Sequence, residues 1–360
     1  MREDERRMTA ARYYGPGSLR IEEAPVPEPE ADQVLIRLEL CGICGTDVHE
    51  YVEGPIFSPT EARPDPLTGE RPPVGFGHEF VGRVVARGES ATRIPLGARV
   101  AVEPRRTCGE CEACRGGYRN CCPSAATIGL QGGGGGIAEF IAVDERLAFD
   151  VGGIPARTAV AIEPIAVAVH AVSRAGVPIE GETALVAGAG PIGALVAWVL
   201  RAMGAAEVVV VEPGARRREA ARRFGATRTI DPGGTDVRAQ LTAWGIAPRL
   251  AFDCAGHAAT LQTCIEAVRP RGVVVNVAIS ARPAEVHFLP VTTKEVTLLG
   301  TICYADDHPT AIRLLQERDF PTDDFLTAVY PMERTVEAIE TLRTRAGDHM
   351  KIAIDVGGAG

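Results

Sequence analysis

Two parts of the chain differ in how their apolar residues are spaced. Between about residues 159 and 300, short apolar runs such as TALVA (183–187) and VVVV (208–211) alternate with longer amphipathic segments such as RREAARRFGA (217–226). Unbroken apolar runs of this length are typical of parallel strands that are buried on both faces, and the segments between them have helical spacing. This region is therefore predicted to be a doubly wound α/β domain.

The flanking segments have a different pattern. Residues 8–158 are rich in glycine and proline and contain hairpin-like runs such as VLIRLEL (34–40). From about residue 301 the chain has one helical segment, PTAIRLLQERD, and a final strand, KIAIDV. We therefore predict that residues 1–158 form a β-rich domain, that residues 301–360 complete it, and that the α/β region, 159–300, is inserted into it.

The inserted region contains a strand, a glycine turn, a helix and a second strand that ends in an acid, Glu212. The turn consists of Gly188, Gly190, Pro191, Ile192 and Gly193 together with the alanine at 189. Such glycines let a pyrophosphate approach the backbone at the start of the helix, and the acid binds the adenosine ribose hydroxyls. We predict that this domain binds NAD in preference to NADP, because a carboxylate repels a 2′-phosphate. The arginines at 216–218 reduce this preference, because an arginine can pair with such a phosphate.

Five of the ten cysteines lie within the fifteen residues 108–122. Three of them, Cys108, Cys111 and Cys114, are spaced three residues apart as in a zinc site, and one of the adjacent Cys121 and Cys122 can supply a fourth sulfur. Such C-x2-C steps let neighbouring thiolates converge on one tetrahedral Zn2+, and four sulfurs leave no position for substrate. We predict a structural zinc; the alternative is a group of reduced surface cysteines. Adjacent residues point in different directions, so only one of Cys121 and Cys122 is expected to be a ligand; the family resemblance described below favours Cys122 and leaves Cys121 as a spare thiol.

A second group of metal-ligand residue types lies upstream of this cluster. It comprises Cys44, Thr46, Asp47 and His49 in CGICGTDVHEY (41–51), and His78 and Glu79 in GFGHEF (75–80). A cysteine, a histidine and a carboxylate that are far apart in sequence suit an open catalytic zinc site with three protein ligands. Taken singly, the cysteine and the histidine are also compatible with ordinary core positions.

The identity of the carboxylate ligand is open. His78 and Glu79 are neighbours in a segment that reads as strand, so they face opposite sides unless the chain bends, which the flanking glycines permit. If it does not bend, Glu163 is the best alternative, since a lone carboxylate in the apolar stretch AVAIEPIAVAVHA needs a partner. Glu163 is also explained as an acid at a helix start before Pro164.

The composition excludes several classes of protein. A net charge of −9 and a pI near 5.4 give no basic face for nucleic acid or an anionic membrane. The longest apolar runs are shorter than the ~20 residues of a bilayer span, and the charged start MREDERR is not a secretory signal. We therefore expect a cytoplasmic protein, and in a reducing compartment clustered cysteines are more often metal ligands than disulfides.

The order of these motifs resembles the zinc-containing medium-chain dehydrogenase/reductase family over nearly the whole chain from Met8. Within that family, GPIFSPTEARPDPLTGERPPVGFGHEF (54–80), GGGIAEF and IEPIAVAVHA are most similar to the (R,R)-2,3-butanediol dehydrogenase group and its polyol and threonine dehydrogenase relatives. Two residues depart from the family pattern near the expected pocket. Phe76 replaces an aliphatic residue, and Ala278 replaces a glycine.

The resemblance implies a Rossmann domain inserted in a GroES-like catalytic domain, NAD and two zinc ions per chain. It also implies a role for each site residue: catalytic zinc ligands Cys44 and His78, alternate carboxylate ligands Glu79 and Glu163, proton relay Thr46 and His49, structural zinc ligands Cys108, Cys111, Cys114 and Cys122, and Arg217 against the adenosine. The activity expected is reversible oxidation of a secondary alcohol or vicinal diol, a small molecule, to the ketone by a homodimer or homotetramer. Alternatives are a sorbitol (polyol) or threonine dehydrogenase of the same family and a non-enzymatic nucleotide-binding protein; the complete set of site residues disfavours the latter.

Overall fold

The computed structural model describes residues 6–280, 283–345 and 347–357. The chain forms two compact units: unit 1 comprises Met1–Glu163 and Leu326–Gly360, and unit 2 comprises Pro164–Phe325. The chain enters unit 2 near the predicted boundary at residue 159. It leaves unit 2 at Phe325, however, and not at residue 300.

The strands are given in chain order. They are β1 (Arg7–Gly15), β2 (Ser18–Pro25), β3 (Gln33–Ile43), β4 (Val74–Gly75), β5 (Glu79–Arg87), β6 (Arg99–Val102), β7 (Arg105–Arg106), β8 (Ala126–Thr127), β9 (Phe140–Asp144), β10 (Ala148–Asp150), β11 (Thr183–Ala187), β12 (Glu207–Val211), β13 (Arg228–Ile230), β14 (Leu250–Asp253), β15 (Val273–Asn276), β16 (Thr297–Gly300), β17 (Leu326–Pro331) and β18 (Lys351–Asp355).

The α-helices follow the same order. They are α1 (Gly45–Glu53), α2 (Glu112–Arg115), α3 (Ala156–Ala159), α4 (Ile162–Arg174), α5 (Pro191–Ala202), α6 (Ala215–Arg223), α7 (Val237–Ala243), α8 (Ala258–Ala267), α9 (Leu289–Thr293), α10 (His308–Glu317), α11 (Thr322–Phe325) and α12 (Thr335–Thr344).

Unit 2 is built on a parallel sheet whose strand order is β13-β12-β11-β14-β15-β16. Its central strands are buried on both faces, which is why their sequences are almost continuously apolar: Leu185, Val209, Phe252 and Val274 are all fully buried. In this doubly wound order the chain changes direction beside its first strand. The crevice beyond the carboxyl ends of β11 and β14 is therefore the expected nucleotide site.

Residues 301–325 belong to unit 2 because aromatic contacts anchor them there. The ring of Phe320 lies 5.2 Å from that of Trp198 on α5 and 5.9 Å from that of Phe224 at the end of α6. Phe325 is fully buried and lies 5.5 Å from Phe320. These rings come from widely separated parts of the chain, so local sequence pattern gave no sign that the segment belongs here.

Unit 1 contains a mixed sheet of order β10-β6-β5-β3-β18-β17, with β9 also paired to β3, and a smaller sheet of order β2-β1-β4. Strand β18 comes from the C-terminal segment and pairs antiparallel with β3, opposing Ile354 to Cys41 and Ile352 to Ile43. The side chains between the strands form one buried apolar core. The end of the chain therefore contributes strands β17 and β18 to the sheet of unit 1.

Among the described residues, one helical stretch, Ala156–Arg174, is long and apolar enough to cross a membrane by length and composition alone. Of its most apolar 18-residue window, 67% is buried inside the protein. A buried core helix passes the same test, so this observation is weak evidence for a membrane.

Candidate active site and metal centres

Helix α1 begins immediately after Cys44, at the end of the long strand β3. The Cys44 amide donates to Asp47 Oδ2 at 2.8 Å, and the Cys44 carbonyl accepts from the Val48 amide at 3.3 Å. Asp47 is 1% exposed and lies in the first turn of the helix, where a carboxylate is stabilised by the helix dipole. The backbone that carries the Cys44 thiol is therefore fixed on both sides.

A left-handed glycine lies in the irregular segment 76–78 between β4 and β5. Gly77 has φ +85°, and a Cβ there would come within 2.7 Å of Cys41 Sγ and 2.8 Å of Ile137. His78 lies outside the strand, because β5 begins only at Glu79, so the alternation of side chains along a continuous strand does not apply to this pair. Ligand atoms of Cys44, His78 and Glu79 all lie within 4.8 Å of one another.

This donor set fits zinc. One thiolate, one imidazole and one carboxylate are the ligand types of open zinc sites, which keep a fourth position for water or substrate. His78 Nδ1 lies 3.0 Å from Asp47 Oδ1, and such a carboxylate partner orients the ring and leaves Nε2 for a metal. Burial lowers the pKa of His78, but the Asp47 carboxylate and the Cys44 sulfur together raise it by more, and the net pKa is well above its ordinary value.

Glu79 has a second strong partner. The Lys351 ammonium on β18 donates to both Glu79 oxygens at 2.7 Å and to the Ile43 carbonyl at 3.1 Å. Lys351 is 4% exposed. Burial lowers its pKa, but the nearby Glu79, Cys44 and Glu163 raise it by more. The ammonium therefore neutralises part of the negative charge at this site.

Glu163, the alternative carboxylate, is 8% exposed and lies in the first turn of α4. Among the residues that the structure describes, it is not part of the tight Cys44, His78 and Glu79 group. Its effect on the pKa of Lys351 nevertheless shows that it is electrostatically coupled to the same site. Both carboxylates remain candidates for the third ligand.

Thr46 and His49 lie on α1, three residues apart and hence on one face of the helix. The Thr46 hydroxyl oxygen lies 3.7 Å from Cys44 Sγ, so it is adjacent to the candidate metal site. Thr46 is half-buried, whereas His49 is exposed. The pair thus extends from the candidate site toward solvent.

The four predicted structural cysteines converge. Sulfur atoms of Cys108, Cys111, Cys114 and Cys122 all lie within 4.8 Å of one another. Cys108 Sγ is 3.6 Å from Cys122 Sγ and 4.0 Å from Cys114 Sγ. Tetrahedral coordination with Zn–S bonds of ~2.3 Å requires sulfur–sulfur distances of about 3.8 Å, so this cluster fits zinc.

Backbone amides donate hydrogen bonds to sulfur atoms of this cluster. Hydrogen bonds from the amides of Glu110 and Cys111 lower the pKa of Cys108 to about 7, close to the range in which the thiolate forms at neutral pH. Cys111 caps the start of the short helix α2, and its sulfur accepts from the Cys114 amide at 3.5 Å. Cys121 is exposed and is not part of the four-sulfur group.

In unit 2 the glycine turn adopts the backbone that the motif requires. Gly188 has φ +93°, and a Cβ at Gly193 would lie 2.0 Å from the Gly188 carbonyl oxygen, so neither position accepts a side chain without distortion. Helix α5 starts after Gly190 with Pro191 as its first residue, and Ile192 follows. The turn ends at a helix N-terminus, where an anion is favoured.

Glu212 lies directly over this turn. Its two carboxylate oxygens accept from the amides of Ala189 and Gly214, each at 2.8 Å, and its side chain is 5% exposed. Arg218 pairs with Asp231 at 3.0 Å and donates to the Glu212 carbonyl, so this arginine already has partners. The predicted adenosine contact, Arg217, lies in the first turn of α6.

Two family models match the chain: an alcohol dehydrogenase GroES-like domain over residues 30–153 and a zinc-binding dehydrogenase over residues 191–317. Together they cover parts of both units. The chain belongs to the zinc-binding dehydrogenase family. It is accordingly an oxidoreductase that acts on a CH–OH group, with an α/β fold that combines a GroES-like and a Rossmann-type domain.

Full-length relatives of this dehydrogenase include alcohol and polyol enzymes. The (R,R)-butanediol dehydrogenase of Neisseria gonorrhoeae is 38% identical, with 97% of this chain and 99% of the relative covered. The (R,R)-butanediol dehydrogenase of Bacillus subtilis is also 38% identical, covering 92% and 94%. Human sorbitol dehydrogenase is 32% identical, covering 95% and 94%.

Solved structures show the same architecture. The crystal structure of 2R,3R-butanediol dehydrogenase from Bacillus subtilis matches with a TM-score of 0.90 and 36% identity, covering 97% of this chain and 99% of that one. A zinc-binding dehydrogenase from Sinorhizobium meliloti bound to NADP has a TM-score of 0.86 and 27% identity, with the same coverage. An Escherichia coli alcohol dehydrogenase complexed with NADH has a TM-score of 0.87 and 28% identity, again with that coverage.

The sequence did not reveal how two residues, Asp47 and Lys351, support the candidate ligands. Asp47 was recognised only as a possible ligand, but its carboxylate binds both the Cys44 amide and the His78 ring. The signal was present, since an acid three residues after Cys44 is the pattern of a capped helix start. Lys351, which binds Glu79, is 272 residues away in sequence and gave no local signal. Phe76, flagged as a departure near the pocket, is a fully buried core residue against Tyr13.

We expect two zinc ions per chain, one in each cysteine-containing group. Cys108→Ser should lose one zinc and lower the unfolding temperature by at least about 5 °C, because a structural zinc contributes folding free energy. Cys44→Ser should lose turnover while the fold is retained. Metal analysis of protein purified without chelator, with thermal unfolding and turnover, measures all three quantities.

Cys121→Ser is the matched control, since this thiol is adjacent to Cys122 but outside the four-sulfur group. It should keep both zinc ions and wild-type stability. One zinc per wild-type chain, or a loss of zinc in the control, would contradict the assignment.

Proposed function

We propose that this enzyme catalyses the reversible, NAD-linked oxidation of a vicinal diol of the 2,3-butanediol type to the corresponding hydroxyketone. The observation that carries the proposal is the grouping of one thiol, one imidazole and one carboxylate in unit 1, in a chain that resembles (R,R)-butanediol dehydrogenases over nearly its full length. Similarity to sorbitol dehydrogenases makes a longer polyol the second candidate substrate.

Cys44, His78 and one carboxylate would hold the catalytic zinc, and the four-cysteine group would hold the structural one. Zinc supplies Lewis acidity that lowers the pKa of an alcohol, and NAD accepts the hydride. The protein has to orient the substrate hydroxyl and remove its proton. A vicinal diol offers a second hydroxyl that can add a hydrogen bond in the same site.

Thr46 and His49 are the proposed proton path. The Thr46 hydroxyl is adjacent to Cys44 Sγ, and it would take the proton of the substrate hydroxyl while passing its own proton on, through the cofactor ribose, to His49. His49 is exposed on the same helix face, and an imidazole can both accept and donate a proton, which suits exchange with water. The substrate proton therefore has a short route out of the site.

We favour Glu79 as the third protein ligand, because its carboxylate is within 4.8 Å of the Cys44 and His78 ligand atoms. Lys351 competes for both Glu79 oxygens, so Glu79 must share its carboxylate or release the ammonium. Glu163 is the alternative carboxylate, with its own influence on Lys351. Asp47 would keep the His78 ring oriented in either case.

The proposed preference for NAD rests on Glu212. Its buried carboxylate, held by two backbone amides, is a fixed negative charge where the adenosine ribose is expected. Arg218 is engaged by Asp231, which reduces its availability to a 2′-phosphate. Gly188, Gly190 and Gly193 would form the pyrophosphate turn, and Arg217 would lie against the adenosine.

We also propose a cytoplasmic homo-oligomer, a dimer or tetramer. Strand β16 is the outermost strand of its sheet and is largely exposed, with Leu298 at 37%. Nearby in sequence, Phe288 and Leu289 are each 59% exposed. An apolar strand edge of this kind favours association with another chain.

A panel of substrates tests the proposed reaction. Butanediol stereoisomers, sorbitol, threonine and simple alcohols should be compared by NADH absorbance, and we expect the highest kcat/KM with a 2,3-butanediol isomer. With NADP in place of NAD, kcat/KM should fall at least about tenfold, or ~1.4 kcal/mol of discrimination. A higher kcat/KM with sorbitol would favour the polyol alternative, and equal rates with both cofactors would contradict the role of Glu212.

Thr46→Val tests the proton path, because valine keeps the shape but lacks the hydroxyl. General acid–base groups contribute ~10²–10⁴-fold, so kcat should fall within that range while the zinc content is unchanged. His49→Gln should cost less, since water can replace an exposed relay group, and it should flatten the pH profile of kcat near neutrality. An unchanged rate in Thr46→Val would remove the hydroxyl from the mechanism.

A further inference from the structure

The segment that follows β16 has an unusual backbone. Residues 301–307 connect this strand to α10, and two of them, Cys303 and Asp306, have φ values of +49° and +63°. Left-handed conformations are unfavourable for residues other than glycine, and they persist only where the surrounding structure enforces them. Some contact must therefore hold this turn in place.

Asp307 holds the turn through a hydrogen bond, and it does so instead of capping helix α10. It precedes α10, where an aspartate normally caps the helix by accepting from the amide of the second or third helical residue. The second residue is Pro309, which has no N–H, and Asp307 makes no cap hydrogen bond. Its Oδ2 instead accepts from the Ala305 amide at 2.9 Å, inside the strained turn.

The same oxygen faces His170 on α4. His170 Nδ1 lies 2.8 Å from Asp307 Oδ2, and the two side chains are only 16% and 12% exposed. Partial burial of a pair strengthens a hydrogen bond to a carboxylate relative to an exposed one. Asp307 thus ties the turn to a helix that is 137 residues away in sequence.

Aromatic packing within the turn adds to the hydrogen bonds of Asp307. Tyr304 is 2% exposed and His308 is fully buried. Their rings meet edge-on with centroids 4.7 Å apart. The turn therefore has one packed side, and its conformation depends on contacts with the interior of unit 2.

The turn begins where a ligand is expected. It starts at the carboxyl end of β16, and open parallel sheets bind dinucleotides beyond the carboxyl ends of their strands. The Thr301 amide donates to the carbonyl of Asn276, the last residue of β15. Within the part of the chain that the structure describes, the Thr301 hydroxyl is buried and has no hydrogen-bond partner. A buried hydroxyl without a partner is costly unless a ligand or water completes it.

We propose that the His170–Asp307 pair is a positioning device that holds residues 301–307 in the conformation that binds the dinucleotide cofactor. This inference rests on the proposed NAD-linked function. His170 and Asp307 do not themselves have to touch the cofactor. They maintain the strained turn, and loss of the pair lets the turn relax away from the binding conformation.

The test separates cofactor binding from folding and from metal binding. His170→Leu removes the hydrogen bond, whereas His170→Asn retains a side-chain N–H that can donate to Asp307. NADH dissociation constants from fluorescence titration, KM for NAD, kcat, zinc content and thermal unfolding should be measured for each. Arg313→Ala is the matched control, because it breaks an exposed ion pair with Glu317 on α10.

We expect His170→Leu to raise the NADH dissociation constant and the KM for NAD by about tenfold, with kcat changed less than about threefold and zinc content unchanged. His170→Asn should recover most of the affinity, and Arg313→Ala should match the wild type. Should His170→Leu not fold, Asp307→Asn keeps an acceptor for the Ala305 amide but removes the charge, and it should weaken NADH binding by about threefold.

Two results would overturn the inference. One is unchanged NADH affinity in a folded His170→Leu protein, or in Asp307→Asn if the leucine variant does not fold. The other is an asparagine variant that binds NADH no better than the leucine variant. Failure of the wild-type enzyme to bind NADH would instead overturn the proposed function, and the panel of substrates would then show no turnover with NAD.

Discussion

The left-handed conformation of Gly77 is the constraint on which the candidate active site depends. In a continuous strand, His78 and Glu79 would face opposite sides of the sheet and could not approach one point. His78 instead lies in the irregular segment before β5, and no Cβ at position 77 fits against Cys41 Sγ and Ile137. Only glycine at position 77 therefore lets this segment pack closely enough to place His78 beside the thiol of Cys44.

The other contacts of the site depend on this placement of His78 and Glu79. Once His78 lies beside the start of α1, its Nδ1 meets Asp47, whose second oxygen already binds the Cys44 amide. Once Glu79 lies at the start of β5, it meets Lys351 on β18, the strand that returns from the C-terminal segment. The sheet order that pairs β18 with β3 is thus part of the chemistry of the site as well as of the fold.

Motifs with local physical causes were predictable from sequence, and contacts between distant segments were not. The glycine turn, the apolar strands of unit 2 and the cysteine spacing each follow from short-range rules, and the need for a bend beside His78 was recognised from strand geometry alone. The end of unit 2 was placed at residue 300 because the anchoring rings of Trp198 and Phe320 come from distant segments. Lys351 was missed for the same reason.

The most direct test of this account compares two variants, Gly77→Ala and Gly97→Ala, in their zinc content and turnover. Both glycines have similar φ values, +85° and +84°, but a Cβ at Gly97 meets nothing within 4 Å. Gly77→Ala should lose the zinc of the catalytic group and its turnover, and keep the zinc of the four-cysteine group. Gly97→Ala should keep both. Full zinc content and wild-type turnover in a folded Gly77→Ala protein would contradict the account.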